Sequence, residues 1–343
     1  MPGPRPPAEA AAATDGTAPR GEHHHCCTVT SRRQRRATPR TLRRARSHVH
    51  CRRRAEMTGV ANHVLKPQSQ APLVPVPPLP FPDLCARLDD RISAFLRDDD
   101  VKDVRLRAVQ EQTRIALGVI EDALLRYSLD ELALSYNGGK DCLVLLVLYL
   151  CALHRRSVAT GTPLPETIQT VYIQSSHPFP EVEQFVTDSC HAYSLTLASY
   201  GGSMKTAFES YLRDYPSVKA IFVGTRRTDP HGEHLKHFDP TDHGWPSFMR
   251  IHPVIDWHYV EIWTFIRHLD IPYCPLYDQG YTSLGGTTDT HPNPALRIPS
   301  PDLNSGSRDE KFRPAYELVE DYEERLGRDR GTNSTKEAPK PSP

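Results

Sequence analysis

A glycine turn that carries a lysine and an aspartate is the segment of this 343-residue chain best suited to chemistry. It reads S-Y-N-G-G-K-D over residues 135–141. Gly138 and Gly139 let backbone N–H groups come close to an anion, and Lys140 adds a full positive charge. Asp141 beside that lysine suggests a magnesium ion held against the oxygens of ATP. The turn lacks the first glycine and the Ser/Thr of the Walker loop, so a plain strand-to-helix turn with incidental charges is the alternative.

Alternating apolar segments place this turn at the end of a buried strand. The pattern predicts strands over 132–135, 168–173, 195–199, 218–223 and 250–255, and helices over 142–153, 181–193, 205–215 and 258–269. Strands separated by helices favour an α/β fold, a mainly parallel twisted sheet with helices on both faces. Ligands of such sheets collect at the carboxyl ends of the strands, where the glycine turn lies.

Two further helices are predicted before the first strand, and an arm after the last helix. Asp83 is a candidate cap for an amphipathic helix that runs to Phe95, and a second helix is predicted over 101–127. Residues 313–328 are predicted to form a charged helix or an ordered arm.

The chain divides by composition into a folded body and unlike ends. Residues 1–56 hold 13 Arg against 4 acidic residues, which leaves the remainder with 29 basic and 38 acidic residues. We expect a disordered Arg-rich head over 1–56, a Pro-rich linker over 57–82, one domain over 83–330 and a disordered tail over 331–343. The head has the composition of a mitochondrial presequence; a solvated tail, or translated sequence ahead of a start at Met57, is the alternative.

Several classes of protein do not fit this composition. The acidic body argues against a broad nucleic-acid-binding face. None of the eight Cys forms a C-x-x-C pair, which leaves zinc ribbons and dithiol redox sites without support. No apolar run approaches 18 residues, so we expect a cytoplasmic protein without a membrane span, or a mitochondrial one if the head is a presequence.

The glycine turn resembles the pyrophosphatase loop, usually S-G-G-K-D-S, of the adenine nucleotide α-hydrolase-like enzymes, which cleave ATP between its α and β phosphates. Asn137 and Cys142 depart from that general loop. They match the branch of eukaryotic FMN adenylyltransferases (FAD synthases), whose loop reads S-Y-N-G-G-K-D-C. Further segments resemble the same branch in the same order: Gly224 to Pro230, Trp245 to Arg250, Tyr281 to Gly286, Pro292 to Pro294 and Glu324 to Arg328. The resemblance spans roughly residues 100–330.

The resemblance implies a Mg²⁺-assisted transfer of AMP from ATP to the phosphate of FMN, which yields FAD and pyrophosphate. It needs no covalent nucleophile, because the attacking phosphate is already ionised. The implied ATP-binding residues are Ser135, Tyr136, Asn137, Gly138, Gly139, Lys140, Ile173, Gln174 and Gly224. The implied FMN-binding residues are Arg226, Arg227, Asp229, Trp245, Pro246, Ser247, Phe248, Arg250 and Arg328. Asp141 and Asp229 are the candidate metal ligands, and the expected catalytic residues are Asn137, Asp141, Asp229, Arg325 and Arg328.

Purely structural interpretations of several of these residues stay open at this point. The pair Arg226-Arg227 fits a solvated turn, Trp245 and Phe248 fit a core, and arginines three apart at 325 and 328 fit an exposed helix face. An enzyme like phosphoadenylyl-sulfate reductase is one rival, although it needs a reactive Cys in a C-terminal E-C-G-[LI]-H segment, and no Cys follows Cys274. A tRNA-modifying enzyme and a non-catalytic nucleotide-binding regulator are the others. The expected partners are ATP and FMN, with hand-over of FAD to apo-flavoproteins and no nucleic acid or membrane.

Overall fold

The computed structural model describes residues 78–242, 244–299 and 310–329, all within one compact unit. The expectations for the head over 1–56, for most of the linker and for the tail over 331–343 lie outside the described residues. The description therefore concerns the predicted domain and the three residues before its first helix.

A six-stranded sheet in the order β3-β2-β1-β4-β6-β5 forms the centre of the fold. All neighbouring strands pair in parallel except β5, which runs antiparallel to β6 at one edge. The mainly parallel α/β sheet is the predicted fold class. The strands are β1 (Leu132–Ser135), β2 (Ile168–Ile173), β3 (Leu195–Tyr200), β4 (Ala220–Phe222), β5 (Phe238–Pro240) and β6 (Met249–Ile251).

Within the described residues six α-helices accompany the sheet, and their ends differ slightly from the predictions. The first helix begins two residues before Asp83, which lies in its first turn instead of capping it. The second is capped by Asp103, whose carboxylate accepts hydrogen bonds from the backbone N–H groups of Arg105 and Leu106. The helices are α1 (Phe81–Arg97), α2 (Val104–Arg126), α3 (Lys140–Thr160), α4 (Pro180–Ala192), α5 (Met204–Asp214) and α6 (Tyr259–His268).

Side chains of each central strand alternate between two hydrophobic cores, one on each face of the sheet. Leu132 and Leu134 of β1 join the larger core, which also contains side chains of α1, α2, α3, α4 and α6. Ala133 points into the smaller core, where it meets Phe208 and Tyr211 of α5. This period of two is what a strand covered on both faces requires. The first residues after β1 are thereby held at the sheet's carboxyl edge.

Helix α3 is buried on all sides in its first half, since every residue from Cys142 to Leu153 is inside. It is also long and apolar enough to cross a membrane, with a mean hydropathy of 1.6 over its best window. Two thirds of that window, 67%, is buried within the protein, as in the core helix of a soluble domain. A helix held this firmly fixes the glycine turn at its N-terminus.

The C-terminal segment is an ordered arm with little helix. In residues 310–329 the helical content is two single-turn 3₁₀ helices, Ala315–Glu317 and Asp321–Glu323. Of the two forms allowed by the sequence, the arm is therefore the one adopted. It carries the second half of the candidate site.

Candidate active site

The loops after β1 and β4 lie at the point where the strand order reverses. β1 has β2 on one side and β4 on the other, so the loops after β1 and β4 leave the sheet side by side. In open α/β sheets this is where ligands bind. Gly224, just after β4, packs directly on the start of α3, because a Cβ at this position would lie 2.8 Å from the backbone nitrogen of Cys142. The two loops are in contact at this glycine.

Replacing Gly224 with alanine is expected to lower the free energy of unfolding by about 1–3 kcal/mol, because the added methyl would overlap rigid backbone. Gly118 is the matched control, since it lies in α2 with open space around its Cβ position. Gly118→Ala should raise stability by about 0.5–1 kcal/mol through its better helix propensity. Urea unfolding of both variants measures this contrast, and equal effects of the same sign would contradict the packing argument.

Asn137 shapes the glycine turn from within. Its Oδ1 accepts hydrogen bonds from the backbone N–H of Gly139, at 3.0 Å, and from the Cys142 thiol, at 3.0 Å. Gly138 adopts a left-handed backbone with φ of 73°, which only glycine adopts readily. Helix α3 then begins without a side-chain cap, and the Tyr277 hydroxyl accepts the first N–H, that of Lys140, at 2.9 Å. The turn therefore presents backbone at a helix N-terminus, a suitable place for an anion.

Four charged side chains next to the glycine turn form a closed ring, which we call the charge ring: Lys140, Asp141, Arg226 and Glu324. Lys140 Nζ lies 2.9 Å from Asp141 Oδ2 and also contacts Glu324 Oε1. Arg226 Nε lies 2.8 Å from Asp141 Oδ1, and its Nη2 contacts Glu324 Oε2. Each cation thus touches both carboxylates. Asp141, with 20% of its side chain exposed, is the open corner, whereas the other three are at most 6% exposed.

Electrostatics keep Lys140, Asp141 and Arg226 ionised. Burial disfavours the charge on Lys140, but the carboxylates of Asp141 and Glu324 outweigh burial and raise its pKa above the ordinary value. Burial would also raise the pKa of Asp141, but Lys140 and Arg226 lower it below the usual range. The pKa of Arg226 is raised in the same way as that of Lys140, by the carboxylates around it.

Two more carboxylates surround Arg226 outside the ring. Asp229 Oδ2 accepts a hydrogen bond from the Arg226 backbone N–H at 2.8 Å, while its Oδ1 lies 3.9 Å from Nη2. Asp321 Oδ1 lies 3.3 Å from Arg226 Nη1, and its Oδ2 binds His258 Nδ1 at 2.6 Å, which raises the pKa of that histidine. Four carboxylates therefore face two permanent cations and one histidine. The cluster has an excess of negative charge that suits an added cation.

The other residues expected to bind ATP lie outside the charge ring. Tyr136 is buried, with its hydroxyl on Ser189 at 2.9 Å, so only its backbone adjoins the turn. Ser135 ends β1, and Ile173 ends β2, with its side chain against the smaller core. Gln174 Nε2 donates to Glu183 at 2.9 Å, which fixes the orientation of its amide.

The residues expected to bind FMN have different surroundings in the structure. Phe248 packs on Phe208 in the smaller core, with ring centres 5.1 Å apart, so its aromatic face is not free. Arg227 points away from Arg226 and pairs with Asp256 at 2.6 Å. Arg250 donates to the Pro240 carbonyl at 3.1 Å and so stabilises the β5–β6 hairpin.

The exposed part of the 245–250 segment consists of Trp245, at 41% exposure, with Ser247 and the half-buried Pro246.

The two arginines of the arm differ in their environment. Arg325 is exposed and makes no ion pair within the described part of the chain. Arg328 donates from Nη1 to the Leu284 carbonyl at 3.1 Å and from Nη2 to Asp289 Oδ2 at 2.9 Å. A Cβ at Gly285 would lie 2.2 Å from Arg328 Nη1, so a side chain there would displace the guanidinium from this position. Arg328 therefore holds the 284–289 loop, and Arg325 is available to an incoming anion.

Sequence reasoning assigned no role to several residues that build the site. Glu324 stands in the E-R-L-G-R segment but received no function, and Asp321, Tyr259 and Tyr277 were not singled out. The Tyr259 ring lies under both cations, with Lys140 Nζ 5.1 Å and the Arg226 guanidinium carbon 6.0 Å from its centre. Only the position of Glu324 inside a recognised segment gave any signal.

Comparisons with known proteins identify the family. The family model described as "Phosphoadenosine phosphosulfate reductase domain" matches residues 131–210 and 202–292. The chain is 41% identical to a probable FAD synthase of Schizosaccharomyces pombe over 224 residues, which cover 65% of this chain and 81% of that protein. A crystal structure of Candida glabrata FMN adenylyltransferase with FAD and inorganic pyrophosphate superposes with a TM-score of 0.67 at 31% identity, over 73% of this chain and 97% of that one. A yeast FAD synthetase in complex with FAD gives a TM-score of 0.66 at 31% identity, over 73% of this chain and all of that one. The chain therefore belongs to the FAD synthase family of FMN adenylyltransferases.

Proposed function

We propose that this protein transfers AMP from ATP to the phosphate of FMN and releases pyrophosphate. An oxygen of the FMN phosphate attacks the α phosphorus of ATP, the bond from that phosphorus to the bridging oxygen breaks, and pyrophosphate leaves with the electron pair. The observation that carries this proposal is the glycine turn and charge ring at the strand-order reversal of a chain in this family. Aligning two anions there is the main task of the enzyme.

We place the leaving β and γ phosphates at the turn formed by Asn137, Gly138 and Gly139. The open helix start of α3 and the nearby charge of Lys140 both favour anions. The Lys140 ammonium is only 3% exposed, so its charge acts through space instead of through direct contact in this state. The adenine would lie at the end of β2, near Ile173 and Gln174.

Mg²⁺ is proposed as the ion that accompanies ATP. No group of three or more His, Cys, Asp and Glu side chains within the described ranges is arranged to hold a metal ion. Mg²⁺ commonly takes one or two carboxylates together with substrate phosphates, so such a cage is not required. Asp141 Oδ1 is buried without a hydrogen-bond partner, and Asp229 Oδ1 is only loosely held, so these two residues fit the role. When bound, Mg²⁺ would neutralise phosphate charge.

For FMN, we propose that the exposed Trp245, together with Pro246 and Ser247, offers the surface for the flavin ring system. We propose that Arg325 neutralises the phosphate of FMN. Arg325 is the suitable arginine because it is exposed and makes no ion pair with other described residues. Arg328 would contribute from the arm, where it is bound to the 284–289 loop. Arg250 and Arg227 would act on FMN only after leaving their present partners.

The state of the cysteines argues against the alternative of a reductase like phosphoadenylyl-sulfate reductase. Cys274 is buried, and burial raises the pKa of its thiol to about 11. Cys142 is buried beside the turn, with a pKa raised to about 12 by burial. Neither thiol is ionised at neutral pH, so neither is a ready nucleophile. The cytoplasm remains the compartment we propose, and hand-over of FAD to apo-flavoproteins stays a prediction.

Incubation with ATP, Mg²⁺ and FMN is expected to yield FAD and pyrophosphate in equal amounts. Riboflavin in place of FMN should give no product, because it lacks the attacking phosphate. Chromatography of the flavins and a coupled pyrophosphate assay measure both results. Binding of ATP without pyrophosphate release would support the non-catalytic regulator instead, and turnover of riboflavin would contradict the proposed chemistry.

A further inference from the structure

Glu324 is a buried carboxylate to which the proposed AMP transfer gives no direct role. Its residue is 5% exposed, and it lies at the corner of the charge ring opposite Asp141. One oxygen meets Lys140 and the other meets Arg226, so the carboxylate joins the loop after β1 to the loop after β4. A buried charge in such a place has either a structural or a positioning role.

The backbone around Glu324 is fixed from the other side. The Thr282 hydroxyl donates to the Glu324 carbonyl at 2.6 Å. Asn293, which is fully buried, donates from Nδ2 to the Glu323 carbonyl and to the Thr282 hydroxyl, both at 2.8 Å. The carboxylate is therefore presented by a segment whose own position is tied to the 280–293 region.

Sharing of the two cations determines how Asp141 is held. With Glu324 in place, the guanidinium of Arg226 and the ammonium of Lys140 are each divided between two carboxylates. Without it, both cations would have Asp141 as their only partner in the ring and would draw its oxygens inward. Asp141 Oδ1 is held by the charge of Arg226 at 2.8 Å from Nε and has no aligned hydrogen bond.

We propose that Glu324 is a positioning residue that acts through Lys140 and Arg226 to hold Asp141 in the orientation needed for the magnesium nucleotide. This inference rests on the proposed function, which supplies the nucleotide. It predicts that the charge of Glu324 matters for the chemical step although its side chain does not touch the substrate.

The first test compares Glu324→Gln with Glu320→Gln. Glu320 lies on the same arm but is exposed. We expect Glu324→Gln to lower kcat about tenfold to a hundredfold, as misplacement of a reacting group does, with KM for FMN little changed. Glu320→Gln should match the parent enzyme. An unchanged kcat in Glu324→Gln would overturn the proposal.

A double-mutant cycle separates positioning from general support of the fold. If Glu324 acts through Asp141, Glu324→Gln should lower kcat by less than about threefold when Asp141 is already asparagine. A purely structural role would give the same factor in both backgrounds. Equal factors in the two backgrounds would therefore contradict the inference.

A binding measurement provides a readout that does not depend on turnover. Thermal unfolding is followed with ATP alone and with ATP plus MgCl₂. In the parent protein, Mg²⁺ should add to the stabilisation given by ATP, and in Glu324→Gln this increment should be lost while the effect of ATP alone remains. A retained increment would count against the proposal. This assay tests the role of Glu324 even if the parent protein makes no FAD. A failure of the positioning proposal can therefore be distinguished from a failure of the proposed AMP transfer.

Glu324→Gln leaves Lys140 and Arg226 with Asp141 as their one ring carboxylate, and the loss of a buried ion-pair partner can prevent folding. Lys140→Met/Glu324→Gln restores one cation to one carboxylate and should fold. We expect the stabilisation that Mg²⁺ adds to ATP to remain lost in this variant, because Asp141 has lost a neighbour that orients it. Recovery of that increment together with stability would show that Glu324 only balances charge.

Discussion

Asp141→Ala is expected to lower kcat about a hundredfold, or about 3 kcal/mol of transition-state stabilisation, with little change in FMN affinity. Asp141 is the open corner of the charge ring and carries an oxygen without a hydrogen-bond partner. Asp141→Asn keeps the size but removes the charge, so it should also be slow. Steady-state rates and fluorescence quenching of FMN measure the two quantities.

Asp256→Asn is the control for this experiment. Asp256 pairs with the outward-pointing Arg227, so its loss should leave kcat unchanged. Thermal unfolding of the Asp141 variants is measured alongside, because the ring loses a negative charge. A near-parental rate for a folded Asp141→Ala would mean that Asp141 only begins the helix, and the metal role would then pass to Asp229.

Arg226→Leu is expected to lower the free energy of unfolding by about 3–5 kcal/mol, because it leaves buried carboxylates without their shared partner. The Arg226 side chain is fully buried and lies within 4 Å of carboxylates of Asp141, Asp229, Asp321 and Glu324. Its neighbour provides a matched control. Arg227→Leu removes an exposed ion pair with Asp256 and exposed hydrogen bonds to the carbonyls of Glu233 and Leu235, and should cost about 1–2 kcal/mol.

Urea unfolding of the two arginine variants tests this contrast directly. A pH series adds a second check for Arg226→Leu. Its deficit should shrink as the pH falls and the carboxylates become protonated, since Asp141 has a pKa below the usual range only while its cations are present. Equal losses for both variants at neutral pH would contradict the burial argument.

The pattern of apolar residues was sufficient to predict the strands whose side chains are buried in the two cores. Strands β1 and β2 begin and end where alternation predicted, because their side chains fill cores on both faces. β5 was not predicted. It is three residues long and ends at Pro240, and its pairing with β6 depends on residues about ten positions away.

The location of the candidate site was predicted, but the contacts between its charged side chains were not. The glycine turn was expected from its glycines and its place after a strand. The adjacent arginines at 226 and 227 could not be told apart in sequence, and yet one is buried in the charge ring and the other is at the surface. The Lys140–Glu324 contact spans 184 residues, a distance at which no periodicity operates.

That span also sets the order in which the site is completed. During synthesis the chain emerges N-terminal end first, so the sheet and α3 are available to fold long before the arm that carries Glu324. Until the arm docks, Lys140 and Arg226 share Asp141 as their only ring carboxylate. Contacts of such high sequence separation form late, because loop-closure entropy delays them. The nascent domain should therefore complete the charge ring as one of its last folding events.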